Sequence, residues 1–224
     1  MIIQFIEVRD LLDEFNQVAE RAQNIAIFTR DVKLQKAEIE TLSDFIEKTN
    51  ILKATNKDKY SEQELNLICF ILFSIEAVKS ELTMIINLKE NKMDLAWSSL
   101  VHAQTRISIA ASNHPFNDGH LTCYIAKLNG YEKLLFPKMM FASVGYLIKK
   151  TECSICGLEY EDCNHMKGKF YSGELCVREI HEAELEEASL VENPANKLCR
   201  ILSLTFDDKE VDPLTLKEKL QAIE

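Results

Sequence analysis

The sequence predicts a mainly α protein. A helical body should occupy residues 1–150, a small β-containing module stapled through its cysteines residues 151–211, and a short C-terminal helix residues 212–224. Three observations carry this reading. Residues 1–114 contain neither proline nor glycine, the two residues that interrupt helices most effectively. Half of the six glycines, Gly157, Gly168 and Gly173, fall after Thr151, where short apolar alternations replace helical stripes. Four of the seven cysteines and one of the five histidines lie between Cys153 and Cys176.

Taken in order, Leu11, Leu12, Phe15, Val18, Ala22 and Ile25 recur at threes and fours, as one face of a helix does. The stripe continues less cleanly through Ile39, Leu42, Phe45 and Ile46, and the polar stretch Asn50–Tyr60 reads as a connection. Ser61-Glu-Gln-Glu64 is a capping-box sequence and predicts a helix from Leu65 toward Leu88. Met93–Ser112 reads as another helix, and His114–Gly119 as a break rich in turn residues. Leu121–Leu128 and Tyr131–Ile148 are expected to be helical, the latter interrupted at Phe136-Pro137. Phe170–Leu175 predicts a tight hairpin. Glu184–Val191 and Cys199–Phe206 are candidate strands, and Asp212-Pro213 offers an N-cap and first-turn proline for the terminal helix.

Hydrophobic residues make up 46% of the 224, enough for a buried core, while a formal charge of -10 argues against a general nucleic-acid binder. Lys149-Lys150 and Lys167/Lys169 are the local exceptions. The segment Met1-Ile-Ile-Gln-Phe lacks a basic leader region and runs into Glu7, Arg9 and Asp10. The longest apolar run, Leu67–Ile75, is broken only by Ser74 and has about half the length of a membrane span. The expected location is therefore cytoplasmic, away from membranes, where thiols stay reduced and clustered cysteines favour metal over disulfides.

Cys153 and Cys156 form a C-x2-C knuckle, and Gly157 suits the tight turn that follows it. Cys163 and His165 complete a four-ligand set for structural Zn²⁺, with Cys176 competing for the fourth position. A closed set leaves no vacancy for a reacting water, so the expected role is to staple a module too small to fold well alone. Reduced, buried cysteines are the bland alternative, and four-cysteine iron–sulfur ligation by Cys153, Cys156, Cys163 and Cys176 is another. A thioredoxin-like redox pair lacks its βαβ context here.

The run C-x2-C-G-x2-Y-x2-C-x-H-x2-G-x2-Y-x-G-x2-C, here Cys153–Cys176, resembles a motif of uncharacterised bacterial and phage-encoded proteins. Its continuation Leu185–Asn196 is similar to the "EVSLV…PAN" segment that follows it there and to the end of phage prohead-maturation proteins, with Ala188 in place of an expected Val. Asp94–Trp97 to Gln104 and Leu135-Phe-Pro137 belong to the same pattern. The helical body is unlike the β-rich prohead protease. The resemblance implies zinc binding and a bacterial or mobile-element setting, and no activity.

No catalytic or cofactor-binding residue is assigned. His102, Arg106 and His114 resemble the Arg/His pair of helical HEPN-type ribonucleases, although more residues separate Arg106 from His114 than that family uses. The plainer expectation pairs Arg106 with a carboxylate. Glu38, Glu40, Glu47, Glu76 and Glu81 lack the Glu-x-x-His partners of a di-iron bundle and read as a solvated face. Cys69, Cys123 and Trp97 read as core. The expected function is a non-enzymatic, zinc-binding protein-interaction or structural component of a bacterial or phage-encoded complex. Its partner would be a protein or a second copy, with Ile2, Ile3 and Phe5 suited to self-association. The alternative is a nucleic-acid-acting protein, either a zinc-assisted binder or a HEPN-like ribonuclease.

Overall fold

Five helices precede every strand in a computed structural model that describes residues 5–115, 119–206 and 209–218. They are α1 (Ile6–Phe28), α2 (Val32–Asn56), α3 (Glu62–Lys89), α4 (Met93–Ser112) and α5 (His120–Leu135). The third is apolar nearly all round, with Leu65, Ile68, Ile71, Ile75, Leu82 and Met84 buried. Such a helix belongs at a centre, and α1, α2 and α4 pack around it. Among the described residues, no helix is long and apolar enough to cross a membrane.

The capping box at Ser61 forms, and its carboxylate does more than the sequence implied. Glu64 accepts from the Ser61 N–H (3.1 Å) and hydroxyl (2.7 Å), and also from the Phe5 N–H (3.0 Å) at the start of α1. One fully buried side chain therefore completes the N-termini of two helices, where backbone donors otherwise lack partners. Gln35, equally buried, works at the opposite end of α1. Its Nε2 donates to the Ala26 carbonyl (3.0 Å), and its Oε1 accepts from Lys89 Nζ (2.8 Å) at the end of α3.

Several expectations need correction. The polar stretch from Asn50 belongs to α2 as far as Asn56, because polar residues without Gly or Pro fit a helix's exposed face. Tyr131–Ile148 is not one helical segment: α5 stops at Leu135, Phe136 is extended (φ -121°, ψ 141°) and Pro137 follows. The residue before proline is pushed out of the helical region. Phe5 is drawn into the body, its ring 5.0 Å from Tyr60, and Ile2 and Ile3 lie outside the described residues.

From there the chain is β: β1 (Phe141–Cys153), β2 (Phe170–Tyr171), β3 (Glu174–Leu175), β4 (Arg178–Val191), β5 (Leu204–Phe206), β6 (Lys209–Asp212) and β7 (Lys217–Glu218). The strand β1 runs through residue 150, across the boundary expected there. It pairs antiparallel with β4 from Phe141↔Val191 to Cys153↔Arg178, with register shifts at Gly145/Tyr146 and on either side of Lys150. Residues β2 and β3 form the expected hairpin. Its loop, Ser172-Gly173, has φ of 48° and 78°, the doubly left-handed turn that matches strand twist.

The strand expected over Cys199–Phe206 shrinks to β5, while Arg200 bridges to Phe141 beside β1. The C-terminal helix does not form over residues 212–218. Asp212 Oδ1 accepts from Leu214 N (2.8 Å), Leu216 is left-handed (φ 56°), and β7 returns to pair with β6. Residues 219–224 lie outside the described part.

Replacing Glu64 tests the double cap. Glu64→Ala should lower unfolding free energy by about 2–3 kcal/mol in urea melts, against about 1 for Ser61→Ala, since only the first strands donors on two helices. Equal losses would show that the Phe5 contact contributes nothing.

Candidate metal centre

The outer end of the β1–β4 ribbon carries the cysteine motif. Cys153 ends β1, and the next turn closes when the Gly157 N–H donates to the Cys153 carbonyl (2.8 Å), with Gly157 left-handed at φ 69°. Cys163 follows the 3-10 turn Tyr160–Asp162, and Cys176 follows β3. The two tyrosines of the motif hold the segment that carries His165. The Met166 N–H donates to Tyr171 Oη (2.9 Å) and the Lys167 N–H to Tyr160 Oη (2.8 Å), while the Tyr171 ring meets the His165 ring edge-on at 4.6 Å.

The ligand atoms of Cys153, Cys156, Cys163 and His165 all lie within 4.8 Å of one another. Two thiolates on a tetrahedral zinc, each at about 2.3 Å, sit about 3.8 Å apart, so the group has the right size. Cys176 is a fifth donor nearby, its Sγ 3.8 Å from that of Cys153. His165 Nδ1 is buried and has no hydrogen-bond partner. A buried, unpaired nitrogen is costly, and a metal bond would satisfy it. These residues fit a Cys3His ion.

The thiols are electrostatically unequal. Burial pushes Cys153 up, but the Ile155 and Cys156 N–H groups and the neighbouring Cys163 and Cys176 thiols bring it down to about 6. Burial, the hydrogen bond to Cys153 and the adjoining negative charge push Cys176 up to about 11, and Cys163 is raised chiefly by burial. Cys153 is thus the most readily ionised of these thiols, and its contact with Cys176 Sγ favours that thiolate. A metal bound here displaces protons, so its affinity rises with pH.

Two amides clamp this loop to the helices. Asn113, just past α4, donates to the Gly168 carbonyl (2.7 Å) and accepts from Phe170 N (2.9 Å). Asn66 on α3 donates to the Phe170 carbonyl (3.2 Å) and accepts from Gly173 N (2.8 Å). Cys69, expected to be core, is buried and donates to the Gly173 carbonyl. A Cβ on Gly173 would sit 3.0 Å from Leu65 Cβ, so this turn requires glycine twice over. Neither asparagine stood out in the sequence, because an isolated amide on a helix carries no spacing signal.

The other candidate groups resolve differently. Arg106 pairs with Glu76 (3.0 Å) and lies over Phe73, His114 packs edge-on against Phe70, and His102 is exposed. Glu38 and Glu81 are not solvated as expected: both are buried, paired with Arg21 (2.9 Å) and Lys127 (2.8 Å). Cys123, expected in the core, is exposed. Trp97 is buried, and its indole N–H donates to the Lys197 carbonyl (2.9 Å). Asp94 pairs with Arg200, and Glu132 with Lys197 (2.6 Å), so the 197–200 segment is strapped across α4 and α5. The chain matches no protein-family model, no curated protein and no solved structure.

Protein purified without chelator should carry about one zinc per chain by elemental analysis. His165→Ala should lose it, while Cys176→Ala keeps it and leaves the thiolate charge-transfer band of the cobalt-substituted protein unchanged. The reverse pattern would make Cys176 the ligand. Apparent zinc affinity should fall by more than about tenfold from pH 7.5 to 5.5, the range in which Cys153 takes up its proton.

Proposed function

We propose that this is a non-enzymatic protein whose zinc ion is structural and which acts as a protein-interaction or structural component of a bacterial or phage-encoded complex in the cytoplasm. The observation that carries the reading is the closed donor set of Cys153, Cys156, Cys163 and His165 around one point, at the end of a long exposed ribbon. A structural ion at that point joins β1, the 3-10 turn and the His165 loop, and holds them in the shape that Asn66 and Asn113 grip. Binding of this kind contributes on the order of 10 kcal/mol to a small unit.

The arrangement of cations supports a protein partner over nucleic acid. Lys149 pairs with Glu184, Lys150 with Glu152 (2.9 Å), Arg178 with Glu161, and Lys169 donates to the Ser112 carbonyl. Three of the four lysines singled out in the sequence, Lys149, Lys150 and Lys169, thus engage the chain's own acceptors, and net charge is -10. A phosphate backbone would have to displace these pairs and approach against the net negative charge.

Two assays test the proposal. Gel shifts with single- and double-stranded probes at low salt, and an RNA cleavage assay on wild type and His114→Ala, should both be blank. Cleavage lost in the variant would establish a ribonuclease instead. Cys156→Ser should expose residues 154–177 to limited proteolysis while helical circular dichroism persists; full protease resistance there would remove the structural role of the ion.

A further inference from the structure

The β1–β4 ribbon is two strands wide, and only one of its faces is apolar at every pair between Ala142 and Ile148. Alternation along β1 puts Ala142, Val144, Tyr146 and Ile148 on one face. Their cross-strand partners are Leu190, Ala188, Leu185 and Ala183, the bulge at Glu186 keeping the apolar residues of β4 in phase. Four successive pairs are thus apolar on both strands. The other face carries Ser143 with Ser189, Gly145 with Glu187, and Leu147 with Glu184. Nothing in the described chain covers the apolar face: Val144 is 42% exposed, Tyr146 55%, Leu185 66% and Leu190 65%.

We infer that this face is where a second copy of the chain docks, ribbon against ribbon, making a four-stranded two-layer sandwich. The inference rests on the protein-interaction reading above and names its surface and partner. Two-stranded sheets are marginal in water, and a second layer about 10 Å away is the usual remedy. The stripe suits a copy of itself because none of its eight paired residues is charged. Its relief is complementary too. Along β4 the order Leu190, Ala188, Leu185, Ala183 alternates large and small, and a ribbon turned end over end sets its leucines over the alanines. The eight side chains leave roughly 500 Å² open per copy, so a pair hides at most about 1,000 Å², the threshold a specific interface has to reach. The carboxylates Glu182, Glu184, Glu186 and Glu187 lie along the same strand. With each chain at -10, association should therefore strengthen with salt.

Sedimentation equilibrium of the full, zinc-loaded chain tests this. Wild type should dimerise at micromolar concentration, with the dissociation constant falling between 50 and 500 mM NaCl. Leu185→Lys and Tyr146→Glu should each raise it more than about tenfold, whereas Leu147→Lys on the other face should change it little. Zinc content and circular dichroism should match wild type in all three, since these side chains are exposed. A wild-type monomer at 100 µM, or a dimer indifferent to Leu185→Lys, would overturn the inference. Either result leaves the structural-zinc reading to its own metal and proteolysis assays.

Discussion

Two asparagine side chains, Asn66 and Asn113, decide where the C-terminal half of this protein goes. Each donates and accepts with the backbone of residues 168–173, and so replaces hydrogen bonds that the short β2–β3 hairpin cannot make by itself. Because the Cys/His loop is held there, β1 must travel from the Trp97 end of α4 to its Asn113 end, and β4 must travel back. Helix α4, with 20 residues, spans about 30 Å at 1.5 Å per residue. The 13 residues of β1 can reach about 40 Å. The surplus length and the bulges leave the middle of the ribbon exposed, anchored at both ends.

The metal loop and the clamp are physically separate devices. Tyr160, Tyr171, Gly157 and Gly168 shape the loop around its donors, while Asn66, Asn113 and Gly173 attach the shaped loop to α3 and α4. The second device needs the first, because a hairpin of two-residue strands has too few internal bonds to hold its form. The far end is fastened differently, with Trp97 donating to Lys197 and Arg200 held between Asp94 and Asp212.

Much of the architecture was legible in the letters. The Gly- and Pro-free run announced the helices, the capping box located the start of α3, and the cysteine and histidine spacing picked out four residues that the fold brings together. The failures have separate causes. Alternation in Ala142–Ile148 was hidden because Leu147 interrupts the polar positions, so a strand read as helix. Asp212-Pro213 resembled a helix start, but an Asx turn and strand pairing outweighed it. Glu38, Glu64 and Glu81 looked solvated or merely capping because burial of a charge depends on partners brought from other helices, which periodicity does not encode.

The clamp also sets an order of events during synthesis. Helices α1–α4 rest largely on neighbours in sequence and can pack while the chain is still being made. Asn66 meets its partner Gly173 only after 107 further residues, and Asn113 meets Gly168 after 55. Until then the ends of α3 and α4 that await the loop stay open, and Phe73 lacks the Phe170 ring that covers it. A metal captured by the newly emerged cysteines would shorten that interval, because a preformed loop docks with far less chain left to order. Supply of the ion would then govern how long nascent chains expose this surface to aggregation.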